Sequence, residues 1–167
     1  MPEHSSPGPP PRWPTEPDGS VAGGSPSPAA RSLYCATTAT TGHARRTRRT
    51  LRGWVDALDL AQELAEDLVL AVHEALTNVV DHAYLGRTPG PMTLLAQCAG
   101  AGITVTVSDR GHWRTEGSAP EDRRGRGLPL IRALAPTVTF DIHPSGTAVH
   151  IHHPSPGHDD APASRCG

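Results

Sequence analysis

The chain has 167 residues, among them 18 Pro and 17 Gly but only three Trp, two Tyr and one Phe. Its formal net charge is −2, and all 15 basic residues are Arg, so no overall basic excess draws it to nucleic acid. No apolar run approaches the roughly 20 residues that cross a bilayer, and the opening Met-Pro-Glu-His lacks the basic-then-apolar pattern of a secretory signal. A cytoplasmic protein is expected, with no direct contact with membrane or nucleic acid. Cys35, Cys98 and Cys166 are far apart and form no CxxC pair, which argues against a disulfide framework or zinc ribbon and for reduced thiols.

Nine prolines fall within residues 1–28 and three within 154–167, which leaves six for the long middle. Residues 1–31 and 154–167 bury too little apolar surface to offset their ordering entropy, so both are expected to be disordered tails. Residues 32–153 suit one domain. Ser32–Ala36 reads as a short strand. His43–Leu58 is helical, with Ala44, Thr47, Leu51, Trp54 or Val55, and Leu58 recurring every three or four residues. Arg45, Arg46, Arg48, Arg49 and Arg52 cover the rest of that helix. A second helix carries the stripe Leu60, Leu64, Leu68, Val72, Ala75, Leu76, Val79 and Ala83, with Asp59 placed to cap it.

Gly86, Pro89, Gly90 and Pro91 end the second helix. Strands are expected at Met92–Cys98 and Ile103–Asp109, followed by a polar Gly/Arg-rich loop from His112 to Gly127. A short helix over Leu128–Leu134 and strands Thr137–Ile142 and Thr147–His152 complete the domain. Strands that follow one another through tight turns favour antiparallel pairing. The fold expected is an α+β two-layer sandwich, with a mixed, mostly antiparallel sheet and helices on one face.

Three places carry candidate chemistry. Glu74, Asn78 and His82 are spaced i, i+4, i+8 and form a polar column beside the apolar stripe. It is either a metal or acid/base site or a solvated helix face. Asp109 shares the parity of Ile103, Val105 and Val107, which puts a carboxylate on the covered sheet face, where it needs a donor. Asp109-Arg110-Gly111 is either a ligand turn or a strand-end cap. Gly125-Arg126-Gly127-Leu128 precedes a short helix and offers backbone N–H groups and a guanidinium to an anion, or is a flexible loop.

Taken in order, Glu74-xxx-Asn78-xxx-His82-Ala83-Tyr84, Asp109-Arg110-Gly111, Gly125-Arg126-Gly127-Leu128 and Gly146-Thr147 resemble the ATP-binding domain shared by gyrase, Hsp90, histidine kinases and MutL. Within it the sequence is similar to the anti-sigma-factor serine/threonine kinases of the RsbW and SpoIIAB type. The resemblance implies a Bergerat-type ATP-binding fold that uses ATP and Mg²⁺. It makes Glu74 the general base and Asn78 the Mg²⁺ ligand. Asp109 would be the acceptor of the adenine amine, with Gly111 admitting the base, and Thr147 a polar neighbour of the adenine. Gly125, Arg126, Gly127 and Leu128 would belong to a lid over the phosphates. His82 matches a family position without an assigned role. The lid departs from the family in having Trp113 and Pro129 near it and no Lys for the phosphates.

The activity so implied is transfer of the ATP γ-phosphoryl to a Ser or Thr of an anti-anti-sigma (STAS-type) partner, with sequestration of a sigma factor and a possible homodimer. The alternative is an ATP-responsive partner switch without kinase activity. A detached histidine-kinase catalytic domain is disfavoured because no helical dimerisation segment with a phosphoacceptor His precedes it. A gyrase- or MutL-type ATPase is disfavoured because no transducer domain follows. The resemblance also places the Arg-rich first helix at the partner surface. His143, His150, His152, His153 and His158 are expected to be surface imidazoles rather than metal ligands.

Overall fold

The computed structural model describes residues 31–58, 60–100, 102–112 and 127–154. The predicted tails, apart from Arg31 and Pro154, lie outside these residues, as do Gly125, Arg126 and most of the predicted lid. The element order is β1 (Ser32–Thr38), α1 (Thr41–Asp56), α2 (Gln62–Asn78), a π-helical turn (Val79–Ala83), β2 (Pro91–Ala99), β3 (Gly102–Asp109), α3 (Gly127–Leu134), β4 (Thr137–His143) and β5 (Gly146–Pro154). The five strands form one sheet in the order β1-β2-β3-β5-β4. Every neighbouring pair is antiparallel, so the sheet is uniformly antiparallel where a mixed one was expected.

Strand alternation decides which side chains meet the helices. Ile103, Val105, Val107 and Asp109 on β3 lie in register with Cys98, Ala96, Leu94 and Met92 on β2, and all eight are buried. Val149 and Ile151 continue the same inner face on β5. Thr104, Thr106 and Ser108 point the other way. On that outer face Thr104 bonds to the His152 ring, Thr106 to His150, and Thr93 to Ser108. His150 also reaches Asp141 at 3.1 Å.

Helix α1 begins at Thr40, whose hydroxyl accepts the His43 N–H at 3.3 Å. It buries Ala44, Thr47, Leu51 and Val55, while Arg45, Arg46, Arg48, Arg49 and Arg52 are exposed. One of them, Arg52, pairs with Asp56 at 2.8 Å. Helix α2 is the central beam of the helical layer, touching α1, α3, β3 and β5. Its buried residues include Leu68, Val72, Ala75 and Leu76. Burying a Leu or Val side chain contributes about 1.5–3 kcal/mol relative to exposure, so this stripe anchors the layer on the sheet. The N-cap position is Ala61, which makes no side-chain cap bond, and Asp59 lies outside the described residues.

Two buried groups depart from the sequence reading. His153 is 6% exposed rather than a surface imidazole. Burial holds its pKa below the usual value, opposed by the Asp67 carboxylate. Cys98 is disulfide-bonded, against the expectation of reduced thiols. Cys35 is a free, half-buried thiol whose pKa burial raises.

Candidate nucleotide site

The site lies at one end of the sheet. Ser108 pairs with Ala148, so one step further along β3 and β5 stand Asp109 and Thr147. The start of α2 lines a cavity with His153 at the far end of β5, so the helix runs along the sheet and brings its C-terminus to the Asp109–Thr147 end. Glu74 and Asn78 occupy its last turns, both half-buried.

Asn78 is followed by a change of winding. Val79–Ala83 is π-helical, with i→i+5 bonding, a form that recurs at functional sites. The wider turn ends the four-residue step of the predicted column, so Glu74 and Asn78 stay on one α-helical face while His82 follows a different geometry. The hydrophobic stripe contains no signal for this, because Val79 and Ala83 are buried as either winding would have them.

The π turn is clamped to the Asp109 turn. His112 N–H donates to the Ala83 carbonyl at 2.8 Å. Gly111 lies so close that an added Cβ would stand 2.0 Å from the Ala83 oxygen. The glycine expected to admit a ligand base is therefore required for the packing of backbone on backbone. Asp109 is 2% exposed, and its Oδ1 accepts the Gly111 N–H at 2.7 Å. A carboxylate has about four acceptor positions, so this bond orients the group without exhausting it.

Sequence reasoning missed Tyr84, which it took as a family marker without a task. The Tyr84 hydroxyl accepts the Arg110 N–H at 2.9 Å and donates to the Pro91 carbonyl at 2.6 Å. Its ring seats on Gly90, where a Cβ would come within 2.3 Å of it. Burial raises the phenol's pKa, and the Asp109 carboxylate acts in the same direction. The signal in the sequence was the pairing of a Tyr just past the helix with a Gly-Pro just before a strand.

Two polar atoms at this end are buried without a hydrogen-bond partner, the Asn78 amide nitrogen and the Thr147 hydroxyl. Such atoms cost about 1–3 kcal/mol each, and a polar ligand relieves that cost. Similar atoms occur at Trp54, His73 and His153, so an unsatisfied atom alone does not mark a site. The Asn78–Thr147 end differs because Thr147 stands one register step from the buried Asp109 carboxylate, at the end of the sheet that the C-terminus of α2, with Asn78, reaches. An amide, a hydroxyl and a carboxylate are hard oxygen donors and hydrogen-bonding groups that suit a nucleotide and the Mg²⁺ it carries. Among the described residues no group of three His, Cys, Asp or Glu is arranged to hold a metal by itself. Of the predicted lid residues, Gly127 opens α3 and Leu128 follows within it, while Gly125 and Arg126 lie outside the described residues. No helix of the described residues is long and apolar enough to cross a membrane.

Comparison with known proteins bears on the fold and the family. Over 64 residues the chain is 36% identical to the serine-protein kinase RsbW of Oceanobacillus iheyensis and 38% identical to that of Listeria innocua. These segments are 38% of this chain and 40% and 41% of the relatives, so the match spans about two fifths of their length. A solved structure, the RsbU and RsbW domains of Rv1364c from Mycobacterium tuberculosis, superposes with a TM-score of 0.60 at 27% identity. It covers 73% of this chain and 32% of that one. The α+β two-layer sandwich expected from sequence is thus the fold observed. Residues 37–152 match the family described as histidine kinase-like ATPase domain, and the chain belongs to that family.

Proposed function

We propose that this protein is an ATP-dependent serine/threonine kinase that acts as an anti-sigma factor in the cytoplasm, with residues 32–153 as its ATP-binding unit. The single observation behind this reading is the pair of unsatisfied buried polar atoms, the Asn78 amide nitrogen and the Thr147 hydroxyl, at the end of the sheet that carries the buried Asp109 carboxylate. Asp109 accepts from the exocyclic amine of adenine, and Thr147 supplies a hydroxyl beside the base. Asn78 would hold Mg²⁺ through its amide oxygen. The metal supplies charge neutralisation at the phosphates.

Glu74, one turn before Asn78 on the same face, takes the proton from the attacking Ser or Thr hydroxyl. The hydroxyl oxygen bonds to the γ-phosphorus as the bond to the β–γ bridging oxygen breaks, and ADP leaves with that oxygen. Gly125, Arg126, Gly127 and Leu128 cover the phosphates. The phosphorylated protein is an anti-anti-sigma partner, and the sequestered one is a sigma factor.

The test is transfer of labelled γ-phosphate to a candidate partner by the wild type and Glu74→Gln. The variant should bind ATP with unchanged affinity and lose transfer by about 10²–10⁴-fold. Undiminished transfer removes Glu74 from its role. A wild type that binds ATP and forms the complex without labelling the partner is a nucleotide-responsive switch instead.

A further inference from the structure

We propose that the Tyr84 hydroxyl is a positioning group that sets the selectivity of the site for adenine, acting through Asp109. This rests on the nucleotide reading above. Tyr84 joins three segments that the chain order keeps apart. They are the end of the π turn that carries it, the Arg110 N–H in the turn after β3, and the Pro91 carbonyl at the start of β2. Its hydroxyl both donates and accepts, so a Phe at this position leaves one N–H and one carbonyl without their partner.

The link to Asp109 runs through one peptide. Arg110 stands between Asp109 and Gly111, and the Gly111 N–H fixes the carboxylate through Oδ1 at 2.7 Å. The place of that N–H is set on one side by the Arg110 bond to Tyr84 and on the other by the His112 bond to Ala83. Gly111 has no room to shift toward the helix, since its backbone already rests on Ala83. Loss of the Tyr84 bond removes its hold on the Arg110 peptide and loosens the position of the Gly111 N–H that orients the carboxylate.

Selectivity follows from hydrogen-bond polarity. A fixed carboxylate accepts from the amine of adenine and repels the carbonyl oxygen that hypoxanthine carries at that position. A bond to a charged group contributes about 1.5–3 kcal/mol, equivalent to roughly 10- to 100-fold in affinity. A carboxylate free to turn away loses the repulsion as well as the bond. The phosphates bind on the Asn78 side, so their contribution is unaffected.

Titration of the full chain with Mg-ATP, Mg-ITP and tripolyphosphate tests this in the wild type, Tyr84→Phe and Gly90→Ala. Gly90→Ala keeps the hydroxyl but displaces the ring, because its Cβ would lie 2.3 Å from Tyr84. The wild type should prefer ATP to ITP by roughly 10- to 100-fold. In both variants that ratio should fall about tenfold with tripolyphosphate binding unchanged. A folded variant that keeps the wild-type ratio overturns the proposal, as does equal weakening of all three ligands, the mark of a merely structural residue. Failure of both variants to fold overturns it too. A wild type that binds neither nucleotide refutes the nucleotide reading itself. One that binds ATP without preference over ITP refutes this proposal alone.

Discussion

The outer face of the sheet and its Asp109 end handle polar side chains in opposite ways. On the outer face the antiparallel register sets hydroxyls opposite imidazoles and each finds the other, Thr104 with His152 and Thr106 with His150. At the Asp109 end, Asn78 and Thr147 are as deeply placed, yet an atom of each is buried with no protein partner. A face that satisfies itself contributes to folding. A group left unsatisfied costs stability until a ligand arrives, which is how a binding site differs from a structural polar network.

The sharpest way to break this contrast is at the seam between the π turn and the Asp109 turn. Gly111→Ala places a methyl 2.0 Å from the Ala83 carbonyl, and overpacking of this kind costs about 1–3 kcal/mol. Chemical denaturation should show that loss together with loss of ATP binding. An unchanged midpoint would mean the seam is loose. A smaller effect separates the two polar regions directly. Thr106→Val removes the bond to His150 and should destabilise by about 0.5–1.5 kcal/mol. Thr147→Val removes a hydroxyl that has no partner, so the apo protein should be unchanged or gain up to about 1 kcal/mol, while ATP affinity falls. Equal destabilisation by both substitutions would erase the distinction.

The smallest effect concerns acid. Burial keeps the His153 pKa below its usual value. The unfolded chain therefore takes up this proton first as pH falls, so stability is full above pH ~6.5 and declines below it. Thermal unfolding at pH 7.5 and 5.5 should show a smaller decline in His153→Phe than in the wild type. An equal decline would assign the acid sensitivity to other groups.

Much of this was legible in the sequence. The apolar spacing of α2 and the strict alternation of Ile103, Val105 and Val107 identify faces because burial follows helical and strand periods. The same parity placed Asp109 on the inner face. What the sequence hid depends on contacts between distant segments. The π turn keeps the buried pattern of an α-helix, so periodicity cannot reveal it. The packing role of Gly111 was hidden because its neighbour in space, Ala83, is 28 positions earlier in the chain. His153 resembled the half-buried His150 and His152 in composition, and strand parity alone separates it from them. The partnerless Asn78 and Thr147 are properties of packing and have no sequence signature.

The most direct measurement is the thermal unfolding midpoint of the full chain as a function of Mg-ATP concentration, in the wild type and in Asp109→Asn. A ligand that binds the folded state alone stabilises it by about 2.7 kcal/mol at 100 times Kd and 4.1 kcal/mol at 1,000 times Kd. The wild-type midpoint should climb steadily with the logarithm of ATP concentration, and the Asp109→Asn midpoint should stay nearly flat over the same range. A wild-type midpoint that ignores ATP, or a variant that climbs in parallel with it, would contradict a nucleotide socket built on Asp109.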